Sequence, residues 1–352
     1  MKIKNTLIAL PFLGLLLTGC VGKKTYPASK YMLNLSWPTI KDANGNVIGL
    51  KEDMRILQLN DIHLSQSDLH EEHFKVIDKT IEVSNPDLIV LCGDLFTFAD
   101  RHVVKKVFEH FNDKGIPWTY VFGNHDDQGY YSDNYIQRLL GTKKAYNHCY
   151  FVNLEDDDVS GRSNFVINIL DDAKNPAYQV YLLDSHNYNF DTMDYDHLKQ
   201  DQADWYERMV KYTQEKWGVV YSAMYMHIGF KEFTQCWEDL KDTDRVLMGN
   251  MEEWSGSPDT DLDFYSKIRD LGVTRSISVA HDHANDSVVK YEDVYFSYGV
   301  HSTNRIYNDE NNEKFGGQIL SIDKATKKLK FINYYIDYGT AEVRDIIEWK
   351  EA

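Results

Sequence analysis

The chain changes from apolar to polar within the stretch Tyr120-Val121-Phe122-Gly123-Asn124-His125-Asp126. The apolar residues predict the end of a buried strand, and Gly123 allows a sharp backbone turn because it has no Cβ atom. The three residues that follow supply an amide carbonyl, an imidazole and a carboxylate in one short loop. A Gly-Asn pair alone is more often a plain turn, but these side chains together suit a metal site.

The residues that precede this stretch alternate between strand and helix patterns. Short apolar runs at 55–59 and 87–92 are each followed by helical apolar spacing, at 70–83 and 103–111. Together with the strand that ends at Gly123, they predict a βαβαβ unit with parallel strands and right-handed crossovers. Ligands bind beyond the carboxyl ends of such strands, and all three of these strands end in candidate metal ligands.

The remaining chain predicts more strands and helices, without a repeat or a domain boundary. Asn44-Gly45 predicts a hairpin within residues 31–50, and the irregular residues 229–260 predict a loop or lid over the site. We therefore expect one domain over residues 31–352. Further helices are expected at 133–140, 202–216 and 262–271, and further strands at 150–154, 164–170, 179–183, 219–226, 273–280, 288–291, 294–298, 317–322 and 328–335.

The composition is that of a globular, acidic protein. Of the 352 residues, 43% are hydrophobic and 13% aromatic, which is sufficient for a packed core. The 38 basic and 55 acidic residues give a net charge of -17, so no nucleic acid polymer is expected as a partner. A small anionic substrate is compatible with this charge, because a bound metal ion reverses the local sign.

The amino terminus has the pattern of an export signal. Two lysines precede an apolar segment at residues 7–17, which is shorter than the about 20 apolar residues of a membrane span. The segment ends in Leu17-Thr18-Gly19-Cys20, which resembles the lipobox of bacterial lipoproteins. This resemblance implies a signal peptide at 1–19, a lipid on Cys20, a tether at 20–30, and an extracytoplasmic protein anchored to a membrane. An ordinary signal peptide or a buried N-terminal helix is the alternative.

The predicted strand ends carry metal-ligand residue types in a fixed order. In chain order they are Asp61-x-His63, Gly93-Asp94, Gly123-Asn124-His125-Asp126, His227 and His281-x-His283. Residues at i and i+2 of an extended segment face the same side, so each paired motif can address one centre. Carboxylate, imidazole and amide ligands together suit zinc, manganese or iron rather than calcium.

This ordered set resembles the calcineurin-like metallophosphoesterases over residues 54–300. The resemblance implies an α/β fold, a two-sheet metallophosphoesterase sandwich flanked by helices in four αββα layers. It also implies two divalent or trivalent metal ions, of manganese, iron or zinc. The first ion would be held by Asp61, His63, Asp94 and His283, and Asp94 would bridge to the second ion, which Asn124, His227 and His281 complete. His125 would be the proton donor and Asp126 its orienting partner.

Further motifs resemble the purple-acid-phosphatase-like branch of this family. They are Leu182-Leu183-Asp184-Ser185, Asp201-Gln202-x-x-Trp205, Met226-His227-Ile228 and His281-Asp282-His283-x-Asn285-Asp286. True purple enzymes carry a tyrosine ligand three residues after the bridging aspartate, where this chain has Thr97, and they lack a counterpart of His63. A tyrosinate-to-iron colour is therefore not expected.

The resemblance implies hydrolysis of small phosphate monoesters by a hydroxide that the metal ions share, with His125 protonating the leaving alkoxide. Two divalent ions bring more positive charge than Asp61 and Asp94 neutralise, so the centre attracts phosphate. A phosphodiesterase for nucleotides or cyclic nucleotides is the alternative, since both reactions use the same centre. An alternative of another class is a surface lipoprotein that binds a ligand without turnover, with Trp237 and Trp254 as binding platforms.

Overall fold

The computed structural model describes residues 23–65, 71–98, 100–126, 132–142, 145–154, 157–258, 262–303 and 314–352. The predicted signal peptide and Cys20 lie outside these ranges. Within them, no helix combines the length and the apolar character that a membrane crossing needs.

The described residues form eighteen strands and six α-helices. The strands are β1 (Met32–Ser36), β2 (Thr39–Lys41), β3 (Val47–Leu50), β4 (Asp53–Leu59), β5 (Leu88–Cys92), β6 (Trp118–Val121), β7 (Phe165–Leu170), β8 (Pro176–Leu182), β9 (Tyr188–Asn189), β10 (Asp194–Tyr195), β11 (Ser222–Tyr225), β12 (Val246–Met248), β13 (Thr274–Val279), β14 (Val288–Tyr291), β15 (Val294–Tyr298), β16 (Phe315–Asp323), β17 (Leu329–Ile336) and β18 (Val343–Lys350). The helices are α1 (Glu71–Ser84), α2 (Arg101–Asp113), α3 (Ser132–Gly141), α4 (Gln200–Trp217), α5 (Glu232–Leu240) and α6 (Phe264–Leu271).

Most strands belong to two mixed sheets. The eight-stranded sheet has the order β1-β7-β8-β11-β13-β15-β14-β12, and the six-stranded sheet has the order β18-β17-β16-β4-β5-β6. Strands β4, β5 and β6 are parallel, which confirms the predicted βαβαβ unit. Strands β8, β11, β13 and β15 form a second parallel block. Because parallel strands present their carboxyl ends at one edge, each sheet offers such an edge for a site.

The sequence of helix α2 explains both its buried face and the residue at which it begins. Its apolar positions fall on one face, which is buried, as the helical spacing predicts. Asp100 begins the helix, because its carboxylate accepts hydrogen bonds from the backbone amides of His102 (2.8 Å) and Val103 (2.9 Å). The crossover from β5 to β6 is thereby fixed at the point where the chain leaves the loop after β5.

The eight-stranded sheet is buried on both faces. In β8, Val180 and Leu182 belong to one apolar cluster, whereas Tyr181 between them belongs to another, as the two-residue period of a strand requires. The first cluster also contains Leu57 and Ile319 from the six-stranded sheet, so it fills the space between the sheets. The second cluster includes side chains of α4, α5 and α6, while α1 packs against the six-stranded sheet. The predicted αββα arrangement is confirmed.

Local predictions met with mixed success. The hairpin around Asn44-Gly45 forms, as the antiparallel pair β2 and β3. Residues 150–154 are not a strand: the Tyr150 amide donates to the Trp118 carbonyl at 2.7 Å, but the segment then leaves the sheet. Residues 229–260 are more regular than expected, since they contain α5 and β12.

Candidate metal centre

Both sheets place candidate ligands at the carboxyl ends of their parallel strands. From the six-stranded sheet, Asp61 and His63 follow β4, Asp94 follows β5, and Asn124 and His125 follow β6. From the eight-stranded sheet, His227 follows β11, and His281 and His283 follow β13. The side chains meet between the sheets, where Asp61, His63, Asp94 and His227 are each at most 2% exposed.

The ligands form two groups with metal-binding geometry. Asp61, His63 and His283 make up the first group, and Asp94, His227 and His281 the second, with one ligand atom per residue lying within 4.8 Å of the others in its group. The Oδ1 atom of Asn124 lies 3.1 Å from Nε2 of His227 and therefore joins the second group. The structure thus brings together all seven residues that were predicted as ligands.

Asp94 lies between the two groups. Its Oδ1 atom accepts a hydrogen bond from the His125 amide at 2.8 Å, which fixes the carboxylate. Its Oδ2 atom lies 3.1 Å from Nε2 of His227 in the second group and 3.7 Å from Nε2 of His63 in the first. This is the position of a bridging ligand.

One oxygen of Asp61 tests whether metal ions fit this site. Its Oδ1 atom is buried and has no hydrogen-bond partner among the residues that the structure describes. It lies 3.5 Å from Nε2 of His283, 3.9 Å from that of His63 and 4.0 Å from that of His227. A buried carboxylate oxygen without a partner is costly, and a cation among these nitrogens would satisfy it. The mixture of carboxylate, amide and imidazole donors fits manganese, iron or zinc.

Hydrogen bonds on the far side of two rings leave one nitrogen of each available for a metal. Nδ1 of His63 lies 2.8 Å from Oγ1 of Thr97, and Nδ1 of His227 donates to the Cys92 carbonyl at 2.9 Å. Such bonds fix the ring orientation, so that Nε2 is the nitrogen of each ring that faces the other candidate ligands. The role of Thr97 was not predicted; the sequence indicated only that it stands three residues after the bridging aspartate.

The ligand loops adopt unusual backbone conformations. Asp61, His63, Asp94 and His281 have φ angles of 53°, 50°, 50° and 74°, in the left-handed region that few residues other than glycine occupy. Two glycines make the close approach of the loops possible, because a Cβ atom at Gly93 would collide with His227 and one at Gly123 with Asp94.

Burial and neighbouring charges lower the pKa of some candidate histidine ligands and raise that of another. Burial lowers the pKa of His63 and of His281 to about 3, so both rings are neutral and able to bind a metal at neutral pH. Burial acts most strongly to lower the pKa of His227, but the Asp94 and Asp61 carboxylates and the Cys92 carbonyl together outweigh it and raise the pKa to about 10. A metal ion that binds His227 therefore displaces a proton.

Asp126 accepts hydrogen bonds from backbone amides, a role that was not predicted. Its Oδ2 atom accepts from the amides of Gly123 (2.8 Å) and Asp94 (2.9 Å), and its Oδ1 atom accepts from the amide of Phe96 (3.1 Å). These contacts tie the loop after β6 to the loop after β5, and orientation of the His125 ring by Asp126 stays a prediction. His125 itself lies partly exposed at the centre, with its ring 5.0 Å from that of His63.

A cleft of about 240 Å³ opens onto the ligands. The residues that line it are Asp94, His125, Tyr195, Glu253, Trp254, Gly256, His281, Asp282 and His283. The irregular part of the segment 229–260 therefore does lie at the site. Trp237, by contrast, packs against the apolar cluster beneath α5. Of the two tryptophans suggested as binding platforms, only Trp254 lines the cleft.

Comparisons with known proteins agree with this geometry. The family model described as calcineurin-like phosphoesterase matches residues 54–249. Two similar proteins from Arabidopsis thaliana are named probable inactive purple acid phosphatase 14 and 29. The first is 26% identical over 258 residues, covering 66% of this chain and 62% of that protein, so the chain spans less than two thirds of its length. The second is 26% identical over 285 residues, covering 70% of this chain and 71% of that protein.

A solved structure shows the same fold. A dimetal phosphatase from Danio rerio superposes with a TM-score of 0.55 over 85% of this chain and 99% of that chain, at 9% sequence identity. At this identity the likeness supports the fold alone.

Proposed function

The chain belongs to the calcineurin-like phosphoesterase family and is a metallophosphoesterase, and we propose that it hydrolyses small phosphate monoesters. The first metal ion would be held by Asp61, His63 and His283, the second by Asn124, His227 and His281, with Asp94 shared by both. When bound, the two ions would supply positive charge for the phosphate oxygens and would lower the pKa of water so that it can attack phosphorus.

His125 is the group best placed to protonate the leaving alkoxide. It lines the cleft, and its backbone amide is fixed to the bridging carboxylate of Asp94 at 2.8 Å. A partly exposed imidazole beside the ligands can exchange protons with solvent between turnovers. Proton donation of this kind contributes roughly 10²- to 10⁴-fold to the rate of such reactions.

The observation that carries the proposal is the unsatisfied Oδ1 atom of Asp61 amid three histidine nitrogens. A cation placed among these nitrogens, which lie 3.5, 3.9 and 4.0 Å from the oxygen, would satisfy it. The two Arabidopsis relatives carry the word inactive in their names, but this chain has seven ligand residues in two groups and has His125 beside them, which supports catalysis.

Charge in the cleft supports a monoester as the first candidate substrate. Two divalent ions exceed the charge of Asp61 and Asp94 by about two units, which matches the charge of a monoester dianion. A phosphodiester is the second candidate, because the described residues that line the cleft include neither lysine nor arginine, and a diester carries less charge.

The test compares p-nitrophenyl phosphate with bis-p-nitrophenyl phosphate, using the full chain with Mn²⁺, Zn²⁺ or a chelator. We expect metal-dependent turnover of the monoester and a fall in kcat of roughly 10²- to 10⁴-fold in His125→Ala at unchanged metal content. His102→Ala, which removes an exposed histidine on α2, is the control.

Preference for the diester would move the assignment to a phosphodiesterase. Metal binding without cleavage of either ester would contradict the hydrolase proposal and favour the binding protein.

We also propose that the enzyme is held outside the cytoplasm by a lipid on Cys20. The support is the sequence Leu17-Thr18-Gly19-Cys20 after a short apolar segment. We expect the wild-type chain in the membrane fraction and the Cys20→Ser variant to retain its signal peptide and to lack the lipid. Detection of a cleaved, unlipidated wild-type protein by mass spectrometry would refute the anchor.

A further inference from the structure

Trp254 is exposed at the entrance of the cleft, although its neighbours are held in place. It is 75% exposed, and the other six tryptophans are buried or half-buried. Its side chain is among those that line the cleft beside the metal ligands. A tryptophan at the mouth of the cleft can offer a flat apolar surface to a ligand that has bound to the metals.

The backbone on both sides of Trp254 is tied to the segment that carries the ligand His283. The Glu253 amide donates to Oδ1 of Asn285 at 3.1 Å, and Oε1 of Glu253 accepts from the Ala284 amide at 3.0 Å. On the other side, the Gly256 amide donates to Oδ1 of Asp282 at 2.8 Å. The backbone that carries Trp254 is therefore positioned relative to the metal ligands, so little backbone freedom is lost when a ligand binds the ring.

A second aromatic surface comes from the hairpin formed by β9 and β10. Tyr195 lines the same cleft and contacts His281 edge-on, with ring centroids 4.3 Å apart. Tyr188 lies next to it and packs against Phe190, which is 79% exposed. The cleft thus has aromatic side chains from two separate elements.

The charged residues that line the cleft indicate which kind of ligand these rings would bind. Glu253 and Asp282 line the cleft together with the metal ligands, and no lysine or arginine is among the described lining residues. A second negatively charged group on the substrate would be repelled there. At about 240 Å³ the cleft is also smaller than the roughly 300–1,000 Å³ of most small-molecule pockets, so it has room for about one ring system beside the metal ligands.

We propose that Trp254 and Tyr195 form an aromatic subsite for the planar, uncharged alcohol part of a phosphate ester, such as a nucleoside or a phenol. This inference rests on the proposed hydrolysis of phosphate esters and adds the class of leaving group. Stacking on an aromatic side chain tolerates different rings, because every planar ring has a π-face.

The test measures kcat/KM for phenyl phosphate and adenosine 5′-monophosphate relative to glycerol 2-phosphate, with the metal-loaded full chain. We expect Trp254→Ala to lower the ratio for at least one of the planar substrates about tenfold, chiefly through KM, and Trp254→Phe to keep most of it. Trp217→Ala, which removes a half-buried tryptophan at the end of α4, serves as the matched control and should leave both ratios unchanged.

The two planar substrates distinguish a nucleoside from a simple aryl group. A loss confined to one of them identifies the ring that the subsite takes, whereas unchanged ratios for both would overturn the proposal. The proposal would also be overturned if Trp217→Ala lowered the kcat/KM ratios as much as Trp254→Ala does.

A binding measurement separates this proposal from that of hydrolysis. If metal-loaded wild-type protein cleaves none of the esters, the hydrolase proposal fails, but the subsite can still be tested with adenosine and phenol. Saturable quenching of tryptophan fluorescence that persists in Trp217→Phe and disappears in Trp254→Phe would support the subsite. Absence of saturable quenching by either compound in the wild type would overturn it.

Discussion

His63 illustrates how single residues prepare the centre for metal. Its ring is buried and neutral, and Thr97 fixes the nitrogen that does not face the ligands. His227 is held in a similar way. Its Nδ1 atom donates to the backbone carbonyl of Cys92, whereas Nδ1 of His63 contacts a side chain. At His63 the supporting group can be removed by mutation, which makes its contribution measurable.

We expect Thr97→Val to weaken metal binding roughly 10- to 100-fold, because the isosteric side chain cannot hydrogen-bond to Nδ1 of His63. Metal affinity measured by isothermal titration calorimetry provides the readout. Thr97→Ser keeps the hydroxyl and should bind metal nearly as the wild type does. Equal affinities in the valine and wild-type proteins would show that His63 is oriented by packing alone.

Residue types at strand ends were sufficient to predict which side chains meet between the sheets, but not their supporting contacts. Asp61, Asp94 and the histidines could be found because carboxylates and imidazoles seldom follow several buried strands in this order. The contacts of Thr97 and Asp126 depend on the backbone path of two loops, which residue type does not determine. The hydrogen bonds from backbone amides to Asp126 were therefore not predicted.

Among the elements, the loop between β12 and α6 has the closest relation to the site. Gly256 lies against the edge of the His281 ring that contains Nε2. A Cβ atom added at Gly256 would lie only 2.6 Å from that nitrogen. Nδ1 of His281 is consequently the nitrogen available to the second metal ion. The loop thus supports a ligand as well as lining the cleft.

Gly256→Ala is expected to displace either the loop or the His281 ring and so to reduce affinity for the second metal ion. In a titration with Mn²⁺ or Zn²⁺, binding of the two ions should appear as two separate steps. The dissociation constant of the weaker step should rise at least several-fold relative to the wild type. Gly49→Ala in β3 is a suitable comparison, since nothing lies within 4 Å of the added methyl group. If the titration of Gly256→Ala matches that of the wild type, the loop accommodates the methyl group without displacing the His281 ring.

Elements with strong local patterns were predicted well, and those defined by distant pairing were not. Strands β4 to β6 and helices α1 and α2 have clear apolar periodicity and short connections. Strand β1 pairs in parallel with β7, more than a hundred residues away, and β18 forms an exposed edge beside β17. Neither has a continuous apolar pattern, so the sequence offers little sign of their pairing.

At the scale of the whole molecule, each metal ion would join the two sheets. In the first group, Asp61 and His63 come from the six-stranded sheet and His283 from the eight-stranded sheet. In the second group, Asp94 and Asn124 face His227 and His281 in the same way. Bound metal would therefore oppose separation of the sheets during unfolding.

Removal of metal by a chelator should lower the melting temperature. A ligand at 100 times its Kd stabilises the folded state by about 2.7 kcal/mol, and about 1 kcal/mol shifts Tm by roughly 2–4 °C in a large domain. We expect a fall of roughly 5–10 °C, measured by differential scanning calorimetry with and without chelator. The Asp94→Asn variant, which weakens both sites, should show a smaller difference between the two conditions. Identical melting temperatures for the wild type with and without metal would exclude this stabilisation.

The left-handed backbone at four ligand positions sets stability against function. At Asp61, His63, Asp94 and His281 the conformation costs on the order of 1 kcal/mol each, most of which glycine would remove. This gain applies only without metal, because glycine at these positions would also remove the ligands through which bound metal stabilises the fold. A descendant that no longer binds metal would gain stability by drifting toward glycine at these four positions, while an active one must keep the strained residues.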